Sequence, residues 1–352
     1  MGGNALKQHE TRRYSKSEYL LIEDRIRSDF IHLFGREPLF IPYYHNKNDF
    51  GDMDIVFPSN EMPNNWKDIL IDFYQLTNEM FVSNGGVFSF AVDHFQIDLI
   101  FAKTQKDAEM AVKYFGWGDL GNLIGRLYHK LGVKYGHNGI SLVVRLDKNQ
   151  HVMDEILLSR DMEEILSIIG LSYEEYQKGF DDLEDIFQFV AKSKFFDPDI
   201  YLFHNRNHKA VIRDKKRSTY NGFLEWIKRE KPPTNFSFEE KTEKGGYSIR
   251  EPFYSEIIVP RFPWIEERVA KMIQRYQLTQ KIREVYNSTV IGEITGLQGK
   301  ELGKFIQRCG LNPGKWLDEN IEIHLRHADQ MRPIVEKLFE DYQREENGLT
   351  FS

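Results

Sequence analysis

Gly51-Asp52-Met53-Asp54-Ile55-Val56-Phe57 is the stretch on which the fold turns, and Phe95-Gln96-Ile97-Asp98-Leu99-Ile100-Phe101 answers it downstream. Both are apolar, β-branched runs interrupted by carboxylates, where an unpaired charge is costly to bury. Side chains alternate along a strand, so Asp52 and Asp54 share one face. With Asp98 on a neighbouring strand, three carboxylates converge. Such a cluster is unfavourable alone and becomes reasonable around hard divalent cations. A single Asp-x-Asp is a weak signal, usually a solvated strand end or turn. The preceding Gly51, the apolar strand and the second acid-bearing strand give this one its weight.

Working outward, 352 residues suffice for a large core and for two or three domains. The hydrophobic content of 41% and charged content of 29% are those of an ordinary soluble protein. No apolar run is long enough to span a bilayer and no signal-peptide core follows Lys7, Arg12 and Arg13, so a cytoplasmic location is expected. The lone Cys309 excludes an intramolecular disulfide and Cys-based zinc sites. At a net charge of −7, nucleic-acid binding requires a local basic surface.

Helical spacing of Tyr19, Leu20, Ile22, Ile26, Phe30 and Leu33 predicts a helix over 17–34, stopped by Gly35. A short strand at 39–41, the 51–57 strand and a helix from Trp66 to Met80 follow. Val87–Val92 and Phe95–Phe101 read as a hairpin around Asp93-His94. A Gly-rich turn at 114–119 enters a helix over 120–131, and two short strands flank Gly136–Gly139. Ser159 is read as an N-cap, Gly170 as the helix end, and 173–194 as helical with a break at Gly179. Residues 204–231 are strongly basic, 234–254 read as a linker, and the pattern from Trp264 onward, including 321–342, is helical. The expected segments are an N-terminal arm and helix (1–40), a sheet-based domain (41–118), a mixed segment (119–200), a basic segment with linker (201–255) and a mainly helical C-terminal domain (256–352), in an α/β (α+β) fold.

Residues from about Ile41 to Phe180 resemble family X DNA polymerases, palm followed by thumb. Gly51-Asp52-Met53-Asp54-Ile55-Val56 is similar to the first two metal ligands of that palm, and Gln96-Ile97-Asp98-Leu99-Ile100 to the third. Tyr114-Phe115-Gly116-Trp117-Gly118-Asp119 resembles the family's turn beside the incoming nucleotide. Asn122 and Arg126 fall where the family touches the nucleotide and the template side. Met162–Tyr173 resembles a thumb motif. The family's Gly-Ser and Arg-Arg triphosphate grip is absent: Ile41-Pro42-Tyr43-Tyr44-His45 stands there, and Gln96 replaces an Arg. Ile291–Ile306 has a thinner similarity to CCA-adding and poly(A)-type nucleotidyltransferases.

The resemblance implies a polymerase beta-like nucleotidyltransferase with two Mg²⁺ ions, Mn²⁺ being an alternative, held by Asp52, Asp54 and Asp98. A nucleoside triphosphate would meet His45, Gly51, Tyr114, Phe115, Gly116, Gly118, Asp119 and Asn122. A DNA or RNA primer would meet Arg126 and the basic run Arg213, Lys215, Lys216 and Arg217, whose charges suit a phosphate backbone. Basic runs are otherwise solvated faces. Two rivals stand beside this reading: a template-independent RNA or tRNA nucleotidyltransferase, which needs no Arg126, and a non-catalytic nucleic-acid-binding protein on a degenerate palm.

Overall fold

The computed structural model describes residues 3–145, 152–238, 251–285, 287–311 and 331–346. The chain forms two units, Met1–Ile258 and Val259–Ser352. In the first, β1 (Tyr14–Ser15) pairs antiparallel with β3 (Asp49–Phe50), and a mixed five-stranded sheet has the order β2-β4-β7-β6-β5: Leu39–Phe40, Asp52–Pro58, Phe95–Ala102, Val87–Val92 and Phe81–Asn84. Only β4 and β7 run parallel; the other neighbours are antiparallel.

Alternation along the strands sorts the residues onto two faces. Met53, Ile55 and Phe57 of β4, with Ile97 and Leu99 of β7, are fully buried in one core. Helix α1 (Lys16–Phe34) lays Tyr19, Ile22, Ile26 and Phe30 onto that core at helical spacing. Ser15 and Glu18 form a reciprocal capping box at its start, and Gly35 closes it in the left-handed conformation. On the opposite face, Val56, Ile100 and Ala102 pack against Ala108 and Ala111 of α3 (Gln105–Phe115). Asp52, Asp54 and Asp98 lie on this second face, at the end of the strands where those packed apolar positions stop.

The expected helix over 66–80 is shorter: α2 (Trp66–Tyr74) ends at Gln75, a left-handed residue with φ of 52°. Phe81–Asn84 then becomes an edge strand, because the Phe81 ring packs on Phe88. Helix α4 (Leu120–Leu131) is followed by a three-stranded sheet of β8 (Val133–Gly136), β9 (Gly139–Arg145) and β10 (Val152–Ser159). The third strand was not expected, since Asp154 and Glu155 interrupt its apolar pattern. The N-cap of α5 (Met162–Ile168) is Asp161 rather than Ser159: its carboxylate accepts from the Glu163 and Glu164 amides, while the Ser159 hydroxyl accepts from Asp161. Gly179, at φ of 78°, splits α6 (Tyr173–Lys178) from α7 (Leu183–Ala191). The basic stretch forms α8 (His208–Asp214) and α9 (Ser218–Glu230).

The second unit contains the helices Ile265–Val285, Ser288–Thr295, Gly299–Arg308 and Met331–Glu346. Ile291, Phe305, Leu311, Val335 and Tyr342 make its small core. Most of the expected linker (239–250) and the start of the expected last helix (321–330) lie outside the described residues. No helix among the described residues is long and apolar enough to cross a membrane.

Candidate functional site

The parallel pairing of β4 and β7 sets Asp54 directly opposite Asp98, and Asp52 opposite Gln96. Neighbouring strands lie about 4.8 Å apart, so the register brings three carboxyl groups onto one small patch. Burial pushes the Asp54 carboxyl up to about 8, with the charges of Asp52 and Asp98 adding to it and Lys47 opposing. Burial also raises Asp98, to about 6, with Asp52 adding; hydrogen bonds from Ser89, its register partner on β6, and from Gln96 work against the rise. The charged forms are disfavoured by burial first and by the neighbouring carboxylates second. Lys47 is a cation facing the patch, its own pKa lowered by burial, and its amine lies 4.5 Å from the centre of the Phe50 ring.

The residues before α1, for which the sequence offered no structural role, reach this patch. The Gly3 amide donates to Asp52 Oδ2 at 2.9 Å, and the Ala5 amide donates to Gln96 Oε1 at 2.9 Å. Gln96, only 1% exposed, donates from Nε2 to Asp98 Oδ1 and Oδ2 at 2.9 and 3.1 Å. Gly3 sits at φ of 81°, and a Cβ there would fall 2.1 Å from the Gly51 carbonyl oxygen. The close approach of the two backbones therefore requires glycine.

His45 and the glycine-rich turn are brought together. The Trp117 amide donates to the Pro42 carbonyl, and the His45 ring meets the Trp117 indole edge-on at 5.9 Å. His45 Nδ1 pairs with Asp181 at 2.9 Å. The link to the acids is short: the Ile41 amide, one residue before Pro42, bonds the Asp54 carbonyl at 3.4 Å. Gly116 packs on Pro42, and Gly118 takes up positive φ. Tyr114 and Phe115 engage aromatic neighbours, Tyr135 and His137 respectively.

Other site residues are engaged by the protein itself. Arg126, expected at a template strand, is buried on α4 and donates to the Ile200 and Asn205 carbonyls at 2.8 Å each. Burial lowers its pKa to about 10, with Arg206 adding to that effect. Arg217 is ion-paired with Asp119 and Arg213 with Asp214 at 2.8 Å, and Arg213 also donates to Asn122 Oδ1 at 3.1 Å. Lys215 and Lys216 remain exposed on the turn between α8 and α9.

Among the described residues, no group of three His, Cys, Asp or Glu side chains is arranged to hold a metal ion as it stands. The chemistry of the donor set nevertheless suits a hard cation: three carboxylates, with neither thiolate nor imidazole among them. A scan against protein-family models gives no match to this chain. A search of curated proteins gives none either.

Proposed function

We propose that the acid face is the active site of a metal-dependent nucleotidyltransferase, a polymerase beta-like enzyme joining a nucleotide from a nucleoside triphosphate to a nucleic-acid 3′-hydroxyl. The observation that carries the reading is the register pairing of Asp54 with Asp98, with Asp52 two residues earlier on the same face. Three carboxyls forced together, two of them with raised pKa, are a standing electrostatic cost. Perturbed carboxyls of this kind cluster at functional sites.

In this reading Asp52, Asp54 and Asp98 would hold two Mg²⁺ ions. The ions would supply charge neutralisation at the triphosphate and lower the pKa of the attacking hydroxyl. Rotation about side-chain bonds on the fixed strands would close the carboxylates onto them. Lys47 adds a positive charge beside Asp52 and Asp54, where negative charge accumulates on phosphate oxygens. His45 and the Gly116–Gly118 turn, tied to the strand end through Pro42, would flank the nucleotide. Lys215 and Lys216 are exposed and have no acid partner among the described residues, which suits them to meet a phosphate backbone.

One observation favours the template-independent version: Arg126 is spent on the Ile200 and Asn205 carbonyls. Incorporation of each labelled dNTP and NTP in Mg²⁺, on single-stranded and primed DNA and RNA, tests both points. Extension of single strands supports template-independent transfer. Extension confined to primed substrates with correct pairing supports the templated form. No incorporation on any substrate rejects the enzyme.

A further inference from the structure

We propose that the N-terminal arm is a working part of the acid face: Ala5 fixes the amide of Gln96, and Gln96 fixes Asp98, so the arm positions a carboxylate it does not touch. This rests on the nucleotidyltransferase reading above.

The geometry of Gln96 carries the argument. Its Oε1 faces a donor, the Ala5 amide, and its Nε2 faces acceptors, both Asp98 oxygens. Flipping the side-chain amide would set oxygen against carboxylate and NH₂ against N–H, so only one orientation satisfies both ends. Gln96 is almost wholly buried, where an unmade hydrogen bond is costly. Remove the Ala5 N–H and the amide loses what holds its oxygen away from Asp98.

The arm is itself held in place. Leu6 is buried, the Thr11 hydroxyl donates to the Gly3 carbonyl at 3.1 Å, and the Arg12 amide donates to the His94 carbonyl at 2.8 Å. His9 stacks on His94. Gly3 meanwhile presents its N–H to Asp52. One short segment thus orients the first carboxylate directly and the third through Gln96. Hydrogen-bond partners behind a ligating carboxylate set its orientation, and losing one typically costs 10–100-fold in metal affinity. Gln96 and Ala5 are positioning residues in this scheme.

The test is equilibrium Mn²⁺ binding to the full chain, with thermal unfolding measured alongside. The proteins compared are wild type, Ala5→Pro (which deletes the N–H), Gln96→Leu and the double variant, with Asp98→Asn as the reference for a lost ligand. Each single variant should bind Mn²⁺ about 10–100-fold more weakly while keeping a cooperative unfolding transition, its midpoint lowered by the lost buried hydrogen bond but still above the binding temperature. The double variant should be no weaker than Gln96→Leu alone, because both changes break one link. Multiplying effects in the double variant would overturn the relay, as would single variants binding like a wild type that binds Mn²⁺. Should Ala5→Pro fail to fold, normal binding by Gln96→Leu overturns the relay by itself. A wild type that binds no Mn²⁺ at all would overturn the enzyme reading first and the relay with it.

Discussion

The acid face and the basic stretch from Arg206 to Lys231 are both dense in charge, and the structure treats them in opposite ways. Around Asp54, carboxylates sit beside carboxylates, and the answering cation, Lys47, is itself disfavoured by burial. In the basic stretch the guanidiniums are largely neutralised from within. Asp214 takes both Arg206 and Arg213, Asp119 takes Arg217, and Glu184 and Glu230 take Arg229. Charge in a sequence is therefore not charge available to a ligand. The acid face keeps a cluster of carboxyls that a cation would relieve, while the basic stretch pairs its arginines with its own acids and, through Asp119 and Glu184, makes ties to α4 and α7. Exposed lysines with no acid partner among the described residues, Lys209, Lys215, Lys216 and Lys231, are what remains for a polyanion.

This contrast breaks most readily at Asp214, whose side chain is fully buried against Arg206, itself 5% exposed. Asp214→Asn strips a buried guanidinium of its partner and should cost about 3–5 kcal/mol in denaturant unfolding. A loss below about 1 kcal/mol would show that the basic stretch is not locked by charge.

An effect of opposite sign is expected at Asp54. Its folded-state pKa of about 8 lies above the ordinary carboxylate value of ~3.9, so the folded protein holds the proton more tightly than the unfolded chain. The stability from this group is fully present below pH ~4 and is lost as pH rises through about 8. Metal-free Asp54→Asn should therefore unfold at a higher temperature than wild type at pH 8.5, with the advantage gone near pH 4. Equal melting temperatures for wild type and Asp54→Asn at pH 8.5 would mean that the acid face carries no electrostatic strain.

The smallest effect separates surface from scaffold. Lys215→Ala with Lys216→Ala should leave unfolding unchanged while reducing the salt slope of nucleic-acid affinity by ~0.9 for each duplex-DNA phosphate that the protein no longer neutralises. Adding Arg217→Ala should also lower stability, since it breaks the Asp119 pair. An unchanged slope would make the two lysines a solvated face.

Much of the acid face was legible because its signal is local. Asp52 and Asp54 share a face by strand alternation alone, and Asp98 interrupts a second apolar strand of the same character. The strand pairing that sets Asp54 beside Asp98 spans 44 residues yet follows from the two hydrophobic runs recognising one core. The N-terminal arm was not legible in this sense: Gly3 and Ala5 act through backbone N–H groups, which leave no mark on side-chain chemistry. Arg126 misled for a related reason. It shares one helix face with Asn122, but the carbonyls that consume it belong to Ile200 and Asn205, 74 and 79 residues away. The same holds for Arg217, whose partner Asp119 is 98 residues distant. Pairing across such separations is written in the fold and not in the spacing.

The central claim is that Asp98 completes a cation-dependent transfer site with Asp52 and Asp54. The direct measurement is nucleotide incorporation in saturating Mg²⁺ by wild type and Asp98→Asn, on whichever primer the wild type extends, with thermal unfolding as the control for folding. Asp98→Asn should retain the wild-type transition or improve on it and lose at least about 10²-fold in rate, the scale of removing one charge-stabilising group from an active site. An Asp98→Asn protein that folds normally and incorporates nucleotide at the wild-type rate would contradict the account.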